Sequence, residues 1–230
     1  MDIGSYTTTS TVQMEIEFEI NTPTTIMITG PTGSGKTELV SRMMKSDLFS
    51  QPITEIRYHY GAWQEKFKHM EKNDARYRLI EGVPGLEDIP SGETHTVMII
   101  DDLMEEVSKS KTTVDIFTKY SHHRNMTVIF LIQKLYGNSH NSRVISQNAH
   151  VLILFKNPRD SSSVQILGRQ MFPMAKNFLS EAFLDATKNP FSYLVVNSHQ
   201  RTDKRMRVIG NLFEDSNVTV YIPKTRSGSM

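Results

Sequence analysis

One glycine-rich stretch, Thr29 to Leu39 (TGPTGSGKTEL), constrains the fold of this chain more than any other. Gly30, Gly35, Lys36 and Thr37 satisfy G-x-x-x-x-G-K-[ST], a pattern that works only where a buried strand feeds it and a helix leaves it. Both flanks comply. TTIMITG is a β-branched apolar run ending in glycine, and Lys36 to Lys45 has helical spacing. Glycines at 30, 33 and 35 let backbone N–H groups turn inward around an anion, and the helix aims its positive end at the same place. Gly30, Pro31, Thr32, Gly33, Ser34, Gly35, Lys36 and Thr37 are therefore expected to cradle the phosphates of ATP. Lys36 would bridge the β- and γ-phosphates and the Thr37 hydroxyl would ligate Mg²⁺. The plainer alternative is a glycine-rich surface turn with a solvated lysine.

The rest of the chain repeats that alternation. QMEIEFEI (Gln13 to Ile20) alternates apolar and charged residues, as a strand with one wet face does. ITEIRYHYG, THTVMIIDD, MTVIFLIQ and HVLILFK are further strands. Helical spacing falls between them: AWQEKFKHMEK with Trp63, Phe67 and Met70 on one stripe, TTVDIFTKYSHH, SRVISQNA, a serine-capped SSSVQILGRQM and MAKNFLSEAFLDAT. FSYLVVNS and RMRVIGNLF read as a closing hairpin with HQRTDK at its turn. Trp63 and the methionines read as core. Such alternation predicts an α/β fold with a mostly parallel central sheet, helices on both faces and a C-terminal β-hairpin. Residues 1–22 are expected to be a tail and edge strand, 23–200 the core, and 201–230 a last strand and tail, one domain overall.

In parallel sheets ligands sit at the carboxyl ends of strands. Asp101 and Asp102 end one apolar strand and Gln133 ends the next. Asp101 fits the acid that holds Mg²⁺. Asp102, one residue on, is placed to orient and deprotonate an attacking water, or else to cap the following helix. An amide at Gln133 can touch both γ-phosphate and water. This order of cradle, acids and polar sensor, with an acid just past the magnesium ligand and an extra strand between the two motif strands, belongs to hydrolysing P-loop NTPases of the ASCE, RecA-like type. No guanine-reading N-K-x-D is present.

Composition removes other classes. The formal net charge is +1, so no global basic field advertises nucleic acid and any DNA contact has to be local. With no cysteine, disulfides and thiolate metal sites are excluded, and a reducing interior is compatible. Apolar runs such as TVIFLI and VLILF are too short to span a bilayer, and the N-terminus lacks a signal pattern; the expected place is intracellular, with no membrane partner. Adjacent His122 and His123 point in different directions on a helix and have no third ligand nearby in sequence.

GPTGSGKTELVSRM, HYGAWQEKF, MIIDDLMEE, DIFTKYSHHRNMTVIFLIQKLY, SRVISQNAHVLILFKNPRD and ILGRQMFP together resemble the viral DNA-packaging ATPases of the FtsK–HerA superfamily. The nearest branch is the poxvirus-type enzyme, and closer still are the versions of Polinton/Maverick elements, adintoviruses and virophages. The likeness covers roughly residues 26–196 and is most specific over 115–170. It implies an ATP-hydrolysing ring, a hexamer, that drives double-stranded viral DNA into a preformed capsid through a vertex or portal, in host cytoplasm or nucleus, with association to the virion as a further implication. Where the superfamily often carries Asp-Glu, this chain has Asp101-Asp102, so the shorter acid needs its water closer.

Ring ATPases of this kind complete each site with an arginine from the next subunit. Arg124 is the first candidate by position, followed by Arg159 in NPRD and Arg143 in NSRV; the alternative for each is a surface arginine paired with an acid. SKSKTT (Ser108 to Thr113) reads as a loop before a helix. Lys109 and Lys111 would there touch DNA phosphates without reading bases, or be merely solvated. The basic HQRTDKRMR segment fits a DNA surface, a subunit contact or a wet hairpin. Rivals to packaging are a DNA pump or helicase of the same superfamily, a phosphotransferase, and an ATP-gated scaffold without catalysis.

Overall fold

A computed structural model describes residues 9–14, 18–137, 139–213 and 218–224. The chain forms two compact units, residues 18–152 and residues 1–17 with 153–230. The expected strand over Gln13 to Ile20 coincides with β1, Thr9–Met14, only at Gln13 and Met14; positions 15–17 lie outside the described residues, as do parts of both expected tails, and Phe18 and Glu19 belong to no strand.

The larger unit is built on parallel strands. They are β2 (Thr25–Thr29), β3 (Glu55–Tyr60), β4 (Tyr77–Glu81), β5 (Thr96–Asp101) and β6 (Met126–Ile132), in the order β2-β6-β5-β3-β4. Every residue of β2, β5 and β6 is buried, which is why they read as continuous apolar runs rather than alternating ones. β6 is the extra strand between the cradle strand and the acid strand. Register brings the functional ends level: Thr29 pairs with Ile132, Asp101 with Leu131, and Tyr60 with Asp101.

Five α-helical stretches belong to this unit among the described residues. α1 (Lys36–Lys45) buries Leu39, Val40, Met43 and Met44, one face of the helix. α2 spans Lys66–Asn73, and α3 spans Met104–Lys109. α4 (Lys111–Asp115) continues through one π turn, Ile116–Tyr120, into α5 (Ser121–His123). α6 (His140–Gln147) precedes β7 (Val151–Phe155), in which the division between units falls.

Three sequence expectations change here. β4 was not foreseen. α2 begins at Lys66, so Trp63 precedes it and is 51% exposed rather than core; Met174 is exposed as well. SKSKTT is not a loop: only Ser110 separates α3 from α4, and its hydroxyl caps the second helix by accepting from Thr113 N at 3.1 Å.

The smaller unit is antiparallel, in the order β1-β10-β9-β8. β8 (Tyr193–Asn197) and β9 (Val208–Gly210) form the expected hairpin, and β10 (Val218–Pro223) pairs with β1. The helices are α7 (Ser161–Met171), whose N-cap residue is Asp160 rather than a serine, and α8 (Phe178–Ala186). Thr9 Oγ1 donates to Glu181 Oε2 at 2.9 Å, and Tyr221 OH donates to Asp185 Oδ2 at 2.8 Å.

Candidate nucleotide site

The cradle lies between the end of β2 and the start of α1. Gly30 N donates to Ile132 O at 3.1 Å, which ties the loop to the neighbouring strand end. Gly33 and Gly35 have φ of +78° and +100°, a region that side chains rarely enter, so the loop needs glycine at both positions. Gly35 is the N-cap of α1 and supplies no side chain, leaving the first-turn N–H groups of the helix without a side-chain cap. Lys36 Nζ donates to Gly30 O at 2.6 Å and to Pro31 O at 3.0 Å, folding back over its own loop. Ser34 Oγ is buried with no hydrogen-bond partner among the described residues, and such a group is costly to leave unmet. An oxygen-rich anion in the loop would give it one.

The acids close the other side. Asp101 is buried and its Oδ2 accepts from Tyr58 OH at 2.6 Å. Thr37 also lies close to the Tyr58 hydroxyl, so one phenol stands beside both residues expected to hold Mg²⁺. Burial, then the Asp101 charge beside it, pushes Tyr58 far above the usual phenol value. Asp102 is exposed and has φ of +56°, a conformation that costs a non-glycine residue of order 1–3 kcal/mol. The N-cap residue of α3 is Leu103, and Asp102 Oδ1 instead accepts from Gln133 Nε2 at 3.3 Å. Burial lowers Lys36 from the usual amine value; Asp101 and Asp102 oppose that shift, while Lys66 adds to it.

Thr32, Gly33, Gly35, Lys36, Thr37, Asp101, Asp102 and Gln133 thus surround one hollow of about 350 Å³. Gln64 and Lys66 also line it, and sequence reasoning singled out neither. Nor did it mark Tyr58, whose place in an alternating strand gives no sign of its contact with Asp101.

The arginine candidates lie elsewhere. Arg124 is exposed at the amino end of β6, its Nη1 donating to Ser91 O at 3.3 Å. Seven strand residues separate that end from Gln133, about 20 Å of extended chain. Arg143 is exposed on α6, and Arg159 is exposed in the smaller unit. Lys109 pairs with Glu105 across one turn of α3 at 3.0 Å, while Lys111 opens α4. In the basic hairpin turn, Arg205 pairs with Asp203 at 2.8 Å.

The model of the poxvirus A32 protein family matches residues 12–154, more than half of the chain. The chain belongs to that family. It is thereby a viral genome-packaging ATPase, an ATP-hydrolysing P-loop enzyme. Among solved structures, the fold is similar to the genome-packaging NTPase B204 of Sulfolobus turreted icosahedral virus 2 in complex with sulfate. That pair has a TM-score of 0.54 and 14% identity, covering 91% of this chain and 98% of that one. It is also similar to B204, the DNA-packaging ATPase of Sulfolobus turreted icosahedral virus, at a TM-score of 0.53 and 11% identity, over 92% and 100% of the two chains. The first of these proteins has also been solved with AMPPCP, at a TM-score of 0.50 and 14% identity, over 91% and 100%. No curated protein matches the chain by sequence.

Proposed function

We propose that this poxvirus A32 family member packages its genome by hydrolysing ATP in the hollow at the carboxyl ends of β2, β5 and β6. The observation that carries the reading is the convergence there of Lys36, Thr37, Asp101, Asp102 and Gln133, with Gln133 bonded to Asp102. Gly30 to Thr37 wrap the phosphates. Lys36 leaves the carbonyls of Gly30 and Pro31 for β- and γ-phosphate oxygens, exchanging two neutral acceptors for charged ones. Thr37 and Asp101 would hold Mg²⁺, which would supply positive charge beside the β- and γ-oxygens.

Asp102 accepts a proton from water, whose oxygen bonds to the γ-phosphorus while the bond from that phosphorus to the leaving ADP oxygen breaks. Because Gln133 holds Asp102, a change at the γ-phosphate reaches the end of β6 directly. The active form is a homo-oligomeric ring, a hexamer in this reading, seated at a capsid vertex or portal and moving double-stranded DNA. Arg124 of a neighbouring subunit stabilises the transition state, ahead of Arg159 and Arg143. Lys109 and Lys111 face the DNA. The work is done where virions assemble inside the infected cell.

ATPase activity measured against protein concentration, with and without blunt duplex DNA, tests this. Turnover per subunit should rise with both and vanish in Lys36→Ala. Turnover that persisted in that variant would sink the reading.

A further inference from the structure

We infer that the segment between β3 and α2 supplies a second lysine to the terminal phosphate, with Lys66 as a γ-phosphate ligand provided by the same chain. The inference rests on the hollow being the triphosphate site. Its argument begins with geometry. Lys66 lines the hollow together with Lys36, Thr37, Asp101, Asp102 and Gln133, and so does Gln64. Lys66 makes no ion pair with a carboxylate among the described residues, unlike Lys68 two positions on, which holds Glu65 at 2.8 Å. Its Nζ instead lies over the Phe67 ring, 5.5 Å from the centre.

The segment is fixed rather than loosely draped. Phe67 is fully buried and packs on Tyr58, Tyr60 and Trp63, at centroid distances of 5.4, 4.8 and 5.5 Å. Tyr58 is the residue bonded to Asp101, so the aromatic cluster that seats α2 also seats the acid. Gly61 passes close beneath the acid loop: a Cβ there would stand 3.2 Å from Leu103 Cδ2 and 3.4 Å from Asp102 O. Lys66 is thereby held at a fixed place on the lining, near Thr37 and Glu38, with which it also lines the cleft between α1 and α2.

Charge completes the argument. Lys36 and Lys66 share one hollow and feel each other's charge. Two ammonium groups brought together repel unless an anion lies between them. Asp101 and Asp102 offset that repulsion, each acting on Lys36 more strongly than Lys66 does, and Glu38 is a third carboxylate on the lining; a bound Mg²⁺ would take up part of that negative charge. A triphosphate whose β-phosphate sits on the loop carries its γ-phosphate toward the acids, into the space Lys66 lines. A diphosphate leaves that space empty, so Lys66 separates ATP from ADP.

The test uses the full chain and two probes with Mg²⁺, ATPγS and ADP, with affinities measured by calorimetry. Wild-type protein binds both. Lys66→Met should weaken ATPγS by about tenfold or more, the scale of one charge-assisted hydrogen bond, and leave ADP unchanged. Lys66→Arg should recover most of the ATPγS affinity. Equal losses for the two nucleotides, or no loss for either, would overturn the inference while leaving the nucleotide site in place. Wild-type protein that bound neither would instead remove the site reading itself.

Discussion

The two ends of β6 are built for different work. At the carboxyl end, Ile132 O holds the glycine loop, Gln133 holds Asp102, and Asp102 sits in a strained left-handed conformation. Polar groups converge there around a hollow. At the amino end, Asn125 also has positive φ, but Arg124 beside it is exposed, and among the described residues its side chain bonds only a backbone carbonyl, that of Ser91. One strand thus carries a nearly complete reaction centre at one end and an uncommitted guanidinium at the other, about 20 Å away. In the proposed ring, Arg124 of one subunit would complete the site of the next.

The sharpest way to break that comparison is to mix defects. Arg124→Ala should lower turnover of the assembled protein by about 10³-fold, the lower bound for a finger supplied in trans, with nucleotide affinity of the isolated chain unchanged. Asp102→Asn should cost about 10²–10⁴-fold by removing the base. Mixed in equal amounts, the two inactive variants should regain turnover, because a wild-type Asp102 from one then meets a wild-type Arg124 from the other. No recovery, alongside a full loss in Arg124→Ala alone, would place that arginine's effect within its own subunit.

The same contrast marks what the sequence made legible. Asp101 and Gln133 each follow an apolar run with a polar group, and Lys36 closes a glycine pattern behind another, signals contained in a few neighbouring residues. The order of those runs also predicted β6 between the two motif strands. Tyr58 and Lys66 carry no such signal. One is an aromatic in an alternating strand and the other a lysine opening an amphipathic helix; only packing through Phe67 brings them to the site. Trp63 misled for a related reason. Its spacing to Phe67 and Met70 fits a helical stripe, but the helix starts three residues later, so Trp63 meets Phe67 edge-on from a turn. SKSKTT looked like a loop because serine and lysine favour loops, yet Ser110 acts as a cap between two helices.

A smaller effect should follow from the phenol that donates to Asp101. Tyr58→Phe keeps the ring packed on Phe67 and removes only the hydroxyl that orients the carboxylate. Loss of an outer partner of a metal-holding group costs about tenfold in metal affinity. The Mg²⁺ concentration giving half-maximal turnover should therefore rise by about that factor, with thermal stability nearly unchanged. An unaltered Mg²⁺ dependence would make Tyr58 a packing residue alone.

The smallest effect should ignore the functional difference between the ends altogether. His59 lies near the carboxyl end of β3 and His95 just before the amino end of β5, and both are buried. Burial holds each below the ordinary imidazole value. His59 Nδ1 lies 3.1 Å from Gly82 O and so carries the proton, leaving Nε2 with no acceptor among the described residues for a second one. His95 Nε2 meets Thr127 Oγ1 at 2.9 Å. The native state therefore favours neutral rings, while the unfolded chain takes up protons below about pH 6.5. Where the unfolded chain binds more protons, stability rises with pH. The contribution of both histidines is complete above roughly pH 7 and falls as pH drops through about 6.5. The urea midpoint should accordingly be lower at pH 5.5 than at pH 7.5. His59→Asn and His95→Asn should each flatten part of that slope, by comparable amounts, because desolvation acts on an imidazole without regard to which end of the sheet performs the chemistry.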